Sequence, residues 1–116
     1  MQNRIVTYIK TVIKYCQDIL LIFQKNENSY DTFVNDKAYQ YSASFCIEQI
    51  GETAKKLRDL GFSDKYPDIP WNEICAMRNR IAHGYGAIDV QMVFDICTID
   101  VPDLLKRFED ILDIEK

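Results

Sequence analysis

Residues 4–23 read RIVTYIKTVIKYCQDILLIF. Within this stretch Ile5, Tyr8, Ile9, Val12, Cys16, Ile19, Leu20 and Phe23 recur at helical spacing, and Lys10, Lys14, Gln17 and Asp18 fall between them. An α-helix turns about 100° per residue, so this spacing gathers the apolar side chains into one stripe and the polar ones opposite. The reading is a long amphipathic helix over about residues 3–25. A stripe of that length has to be covered by other elements.

Those elements are also helical. Asn26-Glu27-Asn28-Ser29 breaks the first helix, and Ser29 or Asp31 is placed to cap a short turn running through Val34. Asn35 or Asp36 then starts a second long helix, expected to end near Leu60 before Gly61. Its apolar positions include Tyr39, Ala43, Cys46, Ile47, Ile50, Ala54, Leu57 and Leu60. Gly51 lies in its middle, where glycine costs roughly 1 kcal/mol relative to alanine, and such a glycine usually admits another backbone. Glu52 and Lys56 form an i,i+4 pair in the favourable order.

A loop is expected over 62–70, with Pro67 and Pro70 as breakers and Pro70 suited to the first turn of the next helix. That helix carries Trp71, Ile74, Cys75, Met77 and Ile81 and should end near His83-Gly84. After a turn at Gly84-Tyr85-Gly86, Asp89 can cap a helix to about Thr98. Asp100 can cap the last one, with Pro102 near its start and Leu104, Leu105, Phe108, Ile111 and Leu112 facing inward. The pattern contains no alternating strand signal, repeat or low-complexity tract. The fold class is all-α, a four-helix-like bundle with short accessory helices, in a single domain spanning 1–116.

With 47% apolar and 28% charged residues, the chain reads as an ordinary soluble globule. MQNRIVTYIK lacks the uninterrupted apolar core of a signal peptide, and no window approaches the ~18 apolar residues of a membrane span. A cytoplasmic location is expected. Cys16, Cys46, Cys75 and Cys97 contain no C-x-x-C pair, and with one histidine they complete no common zinc set, so reduced and mostly buried thiols are expected. The net charge of −4 argues against an extended nucleic-acid-binding surface, but not against a small cleft.

The chemistry concentrates in Arg78-Asn79-Arg80-Ile81-Ala82-His83-Gly84-Tyr85, which holds the chain's one histidine. Histidine moves protons near neutral pH, arginine grips phosphate with a planar fork of donors, and tyrosine adds a hydroxyl and an aromatic face. Taken singly, each has a blander reading: His83 as a helix cap, Arg78 as a surface ion-pair partner, Tyr85 as a packed ring. On an ideal helix Arg78 and His83 lie about 140° apart, whereas Asn79 and His83 share a face. Convergence therefore requires that the helix loosen, that Arg78 reach around, or that a second chain supply a group. Together these three side chains are the parts needed to cleave or bind a phosphodiester without a metal; if that phosphodiester is RNA, cleavage by its 2′-hydroxyl needs both a base and an acid. One histidine serves one of these at a time, which points to a two-fold homodimer with paired His83 side chains.

In that arrangement Arg78 stabilises the phosphorane charge, and Asn79, Arg80 and Tyr85 orient phosphate or sugar. The product would be a 2′,3′-cyclic phosphate, formed without a metal. Glu48 and Glu52 read either as a solvated helix face or as a pair of which one member orients His83 or an arginine. Lys55, Lys56 and Arg58 could guide RNA or simply face water.

The R-x4-H-x-Y order resembles the signature of the HEPN ribonucleases, and the whole chain resembles the HepT-like toxins among them. IEQIGETAKKL, YPDIPWNEICAMRN and DVPDLLKRFEDIL resemble that family's second helix, its entry into the motif helix and its last helix. The resemblance implies an all-α HEPN fold, a homodimer, and a metal-independent endoribonuclease of a type VII-like toxin–antitoxin pair. It implies catalytic roles for Arg78 and His83. It further implies a partner, a minimal MntA-like nucleotidyltransferase that uses ATP to place AMP on Tyr85, with no cofactor for the toxin itself. Some HEPN proteins are instead non-catalytic modules that bind a nucleotidyltransferase or a nucleotide, and that is the alternative reading.

Overall fold

The computed structural model describes residues 2–82 and 89–116, with side chains from Arg4 to Arg78 and from Asp89 onward. Four long helices make the bundle: α1 (Gln2–Lys25), α3 (Lys37–Asp59), α4 (Trp71–Ala82) and α6 (Val101–Glu115). Two short helices, α2 (Tyr30–Asn35) and α5 (Val90–Asp95), complete it. No strand occurs among the described residues. Helix α3 is the centre, packed on α1 along one side and α4 along another, while α6 covers α1. The α1 stripe is inside as its spacing requires: Ile9, Val12, Cys16, Ile19 and Phe23 are all buried. At one end Phe23, Phe33, Tyr39 and Phe94 form a cluster of rings with neighbouring centroids 4.7–5.8 Å apart.

The helix ends follow the local sequence. Helix α1 stops because Glu27 and Asn28 adopt left-handed φ values of 56° and 54°, which turn the Asn28 N–H back to the Phe23 carbonyl at 2.8 Å. Ser29 caps α2 through its hydroxyl, which accepts from the Thr32 N–H, and the Asp36 carboxylate accepts from the Tyr39 N–H to start α3. Buried Gln40 donates to the Phe33 and Val34 carbonyls, which satisfies the end of α2 inside the core. At Gly61 the chain takes φ 81°, a conformation that suits glycine, and α3 ends.

Three expectations are corrected. The 62–70 connection includes a tight helical turn, Phe62–Asp64, and is tied down by Trp71, whose indole N–H donates to the Tyr66 carbonyl at 2.8 Å. Pro70 sits just before the first residue of α4, where its carbonyl accepts from the Ile74 N–H. More substantially, Asp100 caps nothing. Its dihedrals, φ −77° and ψ −41°, are helical and its side chain makes no capping bond. Helix α5 ends at Asp95, short of Thr98, and runs on through a widened π-type turn, Ile96–Asp100, directly into α6. Pro102 supplies the reason: it has no N–H for the carbonyl four residues back, and its ring would press on that oxygen. Widening the preceding turn lets the helix continue past the proline instead of restarting after a cap.

The four cysteines are free and buried, as expected. Burial pushes the Cys16 thiol up to about 12, so it behaves as a small apolar group. No helix among the described residues is long and apolar enough to cross a membrane.

Candidate active site

Arg78 stands on α4 one turn before the helix's last described residue, and its position is set by α3. A Cβ built on Gly51 would lie 2.8 Å from the Arg78 Cβ and 3.2 Å from the Ile74 carbonyl oxygen. The mid-helix glycine thus marks the place where the two helices touch backbone to backbone. Any other residue at 51 would force α4 outward.

Beside this contact the Glu52 carboxylate forms an ion pair with the Arg78 guanidinium through Nε. The expected pairing of Glu52 with Lys56 on its own helix is therefore corrected: Lys56 lies over the Tyr8 ring instead, 5.5 Å from its centroid. The close approach of α4 brings the arginine, a partner with several donors, within reach of the carboxylate. Arg78 and Glu52 keep 37% and 39% of their side-chain surface exposed, so the arginine remains reachable from solvent. At such exposure an ion pair contributes only ~0.2–1 kcal/mol to stability. Glu48 is half-buried one turn earlier on α3 and forms no ion pair among the described residues. Asn79 and Arg80 continue α4, but their side chains lie outside the described residues, as do His83 and Tyr85 altogether.

Around Arg78 the described charges are mixed, with Glu52, Lys55, Arg58 and Asp59 all nearby on α3. Burial raises the Cys75 thiol above its ordinary value; Arg58, Lys55 and Arg78 act to lower it and Asp59 to raise it. Arg58 donates to the Asn72 side chain across the α3–α4 seam, and Lys55 pairs with Asp59. A cleft of about 650 Å³ lies between α4 and the 89–107 stretch, floored by Ile47 and Ile50. Among the described residues, Glu73, Asp89, Asp95, Asp100 and Asp103 line it against one cation, Arg107. Partial burial, then Asp95, Glu73 and Asp103, raise the Asp100 carboxyl above its ordinary value. These carboxylates by themselves repel phosphate. Five of the chain's carboxylates are thus gathered in this cleft, so a local anion site elsewhere is compatible with net charge −4. The described residues contain no group of three or more ligands suited to a metal ion.

The sequence singles out Arg78, the glycine contact and an acidic orienter as separate possibilities. It does not show that they meet, nor does it reveal the acidic cleft, whose carboxylates are scattered over four segments.

Comparison with known proteins places these residues in context. The family described as "Ribonuclease HepT-like" matches residues 5–111. Two Methanocaldococcus jannaschii proteins with RNase in their names are similar. MJ1216 is 36% identical, covering 93% of this chain and 88% of its own. MJ0125 is 34% identical, covering 94% and 92%. A Thermococcus cleftensis protein with ribonuclease HepT in its name is 32% identical over 73% of this chain and 76% of its own. No solved structure matches. With nearly its whole length matched, the chain belongs to the HepT-like ribonuclease family.

Proposed function

We propose that the protein is a metal-independent endoribonuclease acting as the toxin of a toxin–antitoxin pair in the cytoplasm. The observation that carries this reading is Arg78, solvent-accessible yet seated against α3 and held by Glu52, in a chain that matches a ribonuclease family. Arg78 would bind the scissile phosphate and stabilise charge on its equatorial oxygens. His83 would move the proton, and a homodimer would bring two copies to one cleft so that base and acid are present together. Asn79, Arg80 and Tyr85 would orient phosphate and sugar. The 2′-hydroxyl attacks phosphorus and the 5′-oxygen leaves with a proton, giving a 2′,3′-cyclic phosphate and a 5′-hydroxyl.

Control would rest on Tyr85, which lies between Gly84 and Gly86 in the sequence, small neighbours that would leave its hydroxyl accessible to a second enzyme. A minimal nucleotidyltransferase partner using ATP would attach AMP there. The new phosphate would compete with RNA for the arginine's donors. The toxin needs no cofactor of its own.

Expression of wild type, Arg78→Ala and His83→Ala without a partner tests the reading, with growth and RNA integrity followed. Each variant should lose ~10²–10⁴-fold in cleavage, and wild-type cleavage should survive EDTA. Full activity in His83→Ala, or a strict need for Mg²⁺, would refute it. Intact mass after co-expression with the nucleotidyltransferase should rise by one or more AMP units and stay unchanged in Tyr85→Phe.

A further inference from the structure

We infer that Glu52 is a positioning residue for Arg78 and that Gly51 is the seat that makes this possible, an assignment that rests on the ribonuclease reading. The argument begins with the two ends of the arginine side chain. Its root is fixed because α3 offers only hydrogen at residue 51, and Arg78 Cβ sits where a side chain would otherwise be. Its head is held because the Glu52 carboxylate engages Nε. A long side chain fixed at both ends has lost most of its rotamer freedom before any substrate arrives, and that is the condition for pre-organised binding. Guanidinium carries one N–H on Nε and four on its two Nη atoms. A carboxylate on Nε orients the plane in which a phosphate would meet the Nη edge.

Neither of the simpler uses of Glu52 accounts for this arrangement. An ion pair with both partners more than a third exposed adds little to stability. Nor does a carboxylate beside a phosphate-binding arginine raise affinity, since by Coulomb's law it repels the substrate. Glu52 also passes over the lysine four residues on, its natural partner on the same helix, which lies over Tyr8 instead. What remains is orientation. Arg78 is held in the geometry that the transition state needs, at some loss of ground-state attraction.

That trade gives the test its sign. With an RNA oligonucleotide cleaved by the wild type, Glu52→Ala and Glu52→Gln should each lower kcat by about 10- to 100-fold, the usual scale for a misplaced catalytic group. KM should stay level or fall, because a repelling charge is gone. Cooperative melting should be retained. A merely structural role would not split kcat from KM in this direction, and a purely electrostatic one would improve binding without loss of kcat. Either result, or kcat within about threefold of wild type in both variants, overturns the proposal.

An independent arm follows the Arg78 Nε–H resonance by NMR, assigned through its loss in Arg78→Lys. Its exchange with water should be slow in the wild type and fast in Glu52→Ala. Unchanged exchange would also overturn the proposal. If the wild type cleaves no RNA, the ribonuclease reading falls, and this resonance still decides whether Glu52 holds Arg78. Should Glu52→Ala fail to fold, the nearly isosteric Glu52→Gln carries the kinetic arm.

Discussion

Replacing Gly51 with alanine sets two well-known effects against each other at one atom. In an isolated helix the change would stabilise by ~1 kcal/mol, because glycine loses the most backbone freedom on folding. Here the added methyl would lie 2.8 Å from Arg78 Cβ, while ordinary contact begins at 3.4 Å, a deficit of 3.4 − 2.8 = 0.6 Å. Neither that Cβ nor the Ile74 carbonyl is the far end of a flexible side chain, so α4 must shift as a body. Over-packing of this kind costs ~1–3 kcal/mol. The contact outweighs the propensity, leaving a net loss of about 1 kcal/mol, or roughly 4–6 °C in Tm for a domain this size.

Thermal and urea melts followed by far-UV circular dichroism measure this loss, and RNA cleavage should fall as Arg78 moves. Gly61→Ala is the control. It has φ 81° and no neighbour within 4 Å, so alanine there meets only backbone strain. It should lower Tm while leaving cleavage intact. Gly51→Ala melting at or above wild type would refute the close seat between α3 and α4, and with it the reason Arg78 stands where it does.

Two further outcomes are expected. Phe108 is fully buried against Trp71, with ring centroids 5.8 Å apart, so Phe108→Ala should cost ~3–5 kcal/mol in urea unfolding, whereas Ile114→Ala at an exposed site should stay within ~0.5 kcal/mol. Glu115 and Asp100 should respond to pH in opposite senses. Lys65 and Tyr66 hold the Glu115 carboxyl below its ordinary value, so its stabilisation is present above the unfolded value of about 4.5 and is lost as pH falls through the folded one. Glu115→Gln should therefore lower Tm at pH 7 and matter less in acid. Asp100 is raised by burial and by Asp95, Glu73 and Asp103, so its charge opposes folding at neutral pH, and Asp100→Asn should raise Tm at pH 7 with the gain fading in acid. Equal Tm differences at both pH values would contradict this.

Much of the helical frame was legible because its causes are local. Ser29 and Asp36 cap because their short side chains reach a backbone N–H three residues on, and Gly61 ends α3 because it takes positive φ without strain. The failures share a different cause. Asp100 before Pro102 reads as a cap and a fresh helix start, yet the chain stays helical because packing of Val101, Leu104 and Phe108 in the core holds the axis while one turn widens. Glu52 reads as the partner of Lys56, a contact worth only ~0.2–0.5 kcal/mol on a free helix, and it yields once another helix brings an arginine close.

The sequence by itself determined the class of fold and singled out the motif on which the proposed chemistry rests. Apolar periodicity, caps and breakers act over a few residues, and the motif from Arg78 to Tyr85 is contiguous. Only the tertiary structure decided what surrounds Arg78. Gly51 and Glu52 lie 27 and 26 residues away along the chain (78 − 51 and 78 − 52), and no local rule reaches across that distance. Their meeting follows from how closely two helices pack, which is set by the absence of one Cβ at the crossing and by the core on either side of it. The same holds for the acidic cleft, whose carboxylates face one another only because α4 and the 89–107 stretch flank the same part of α3.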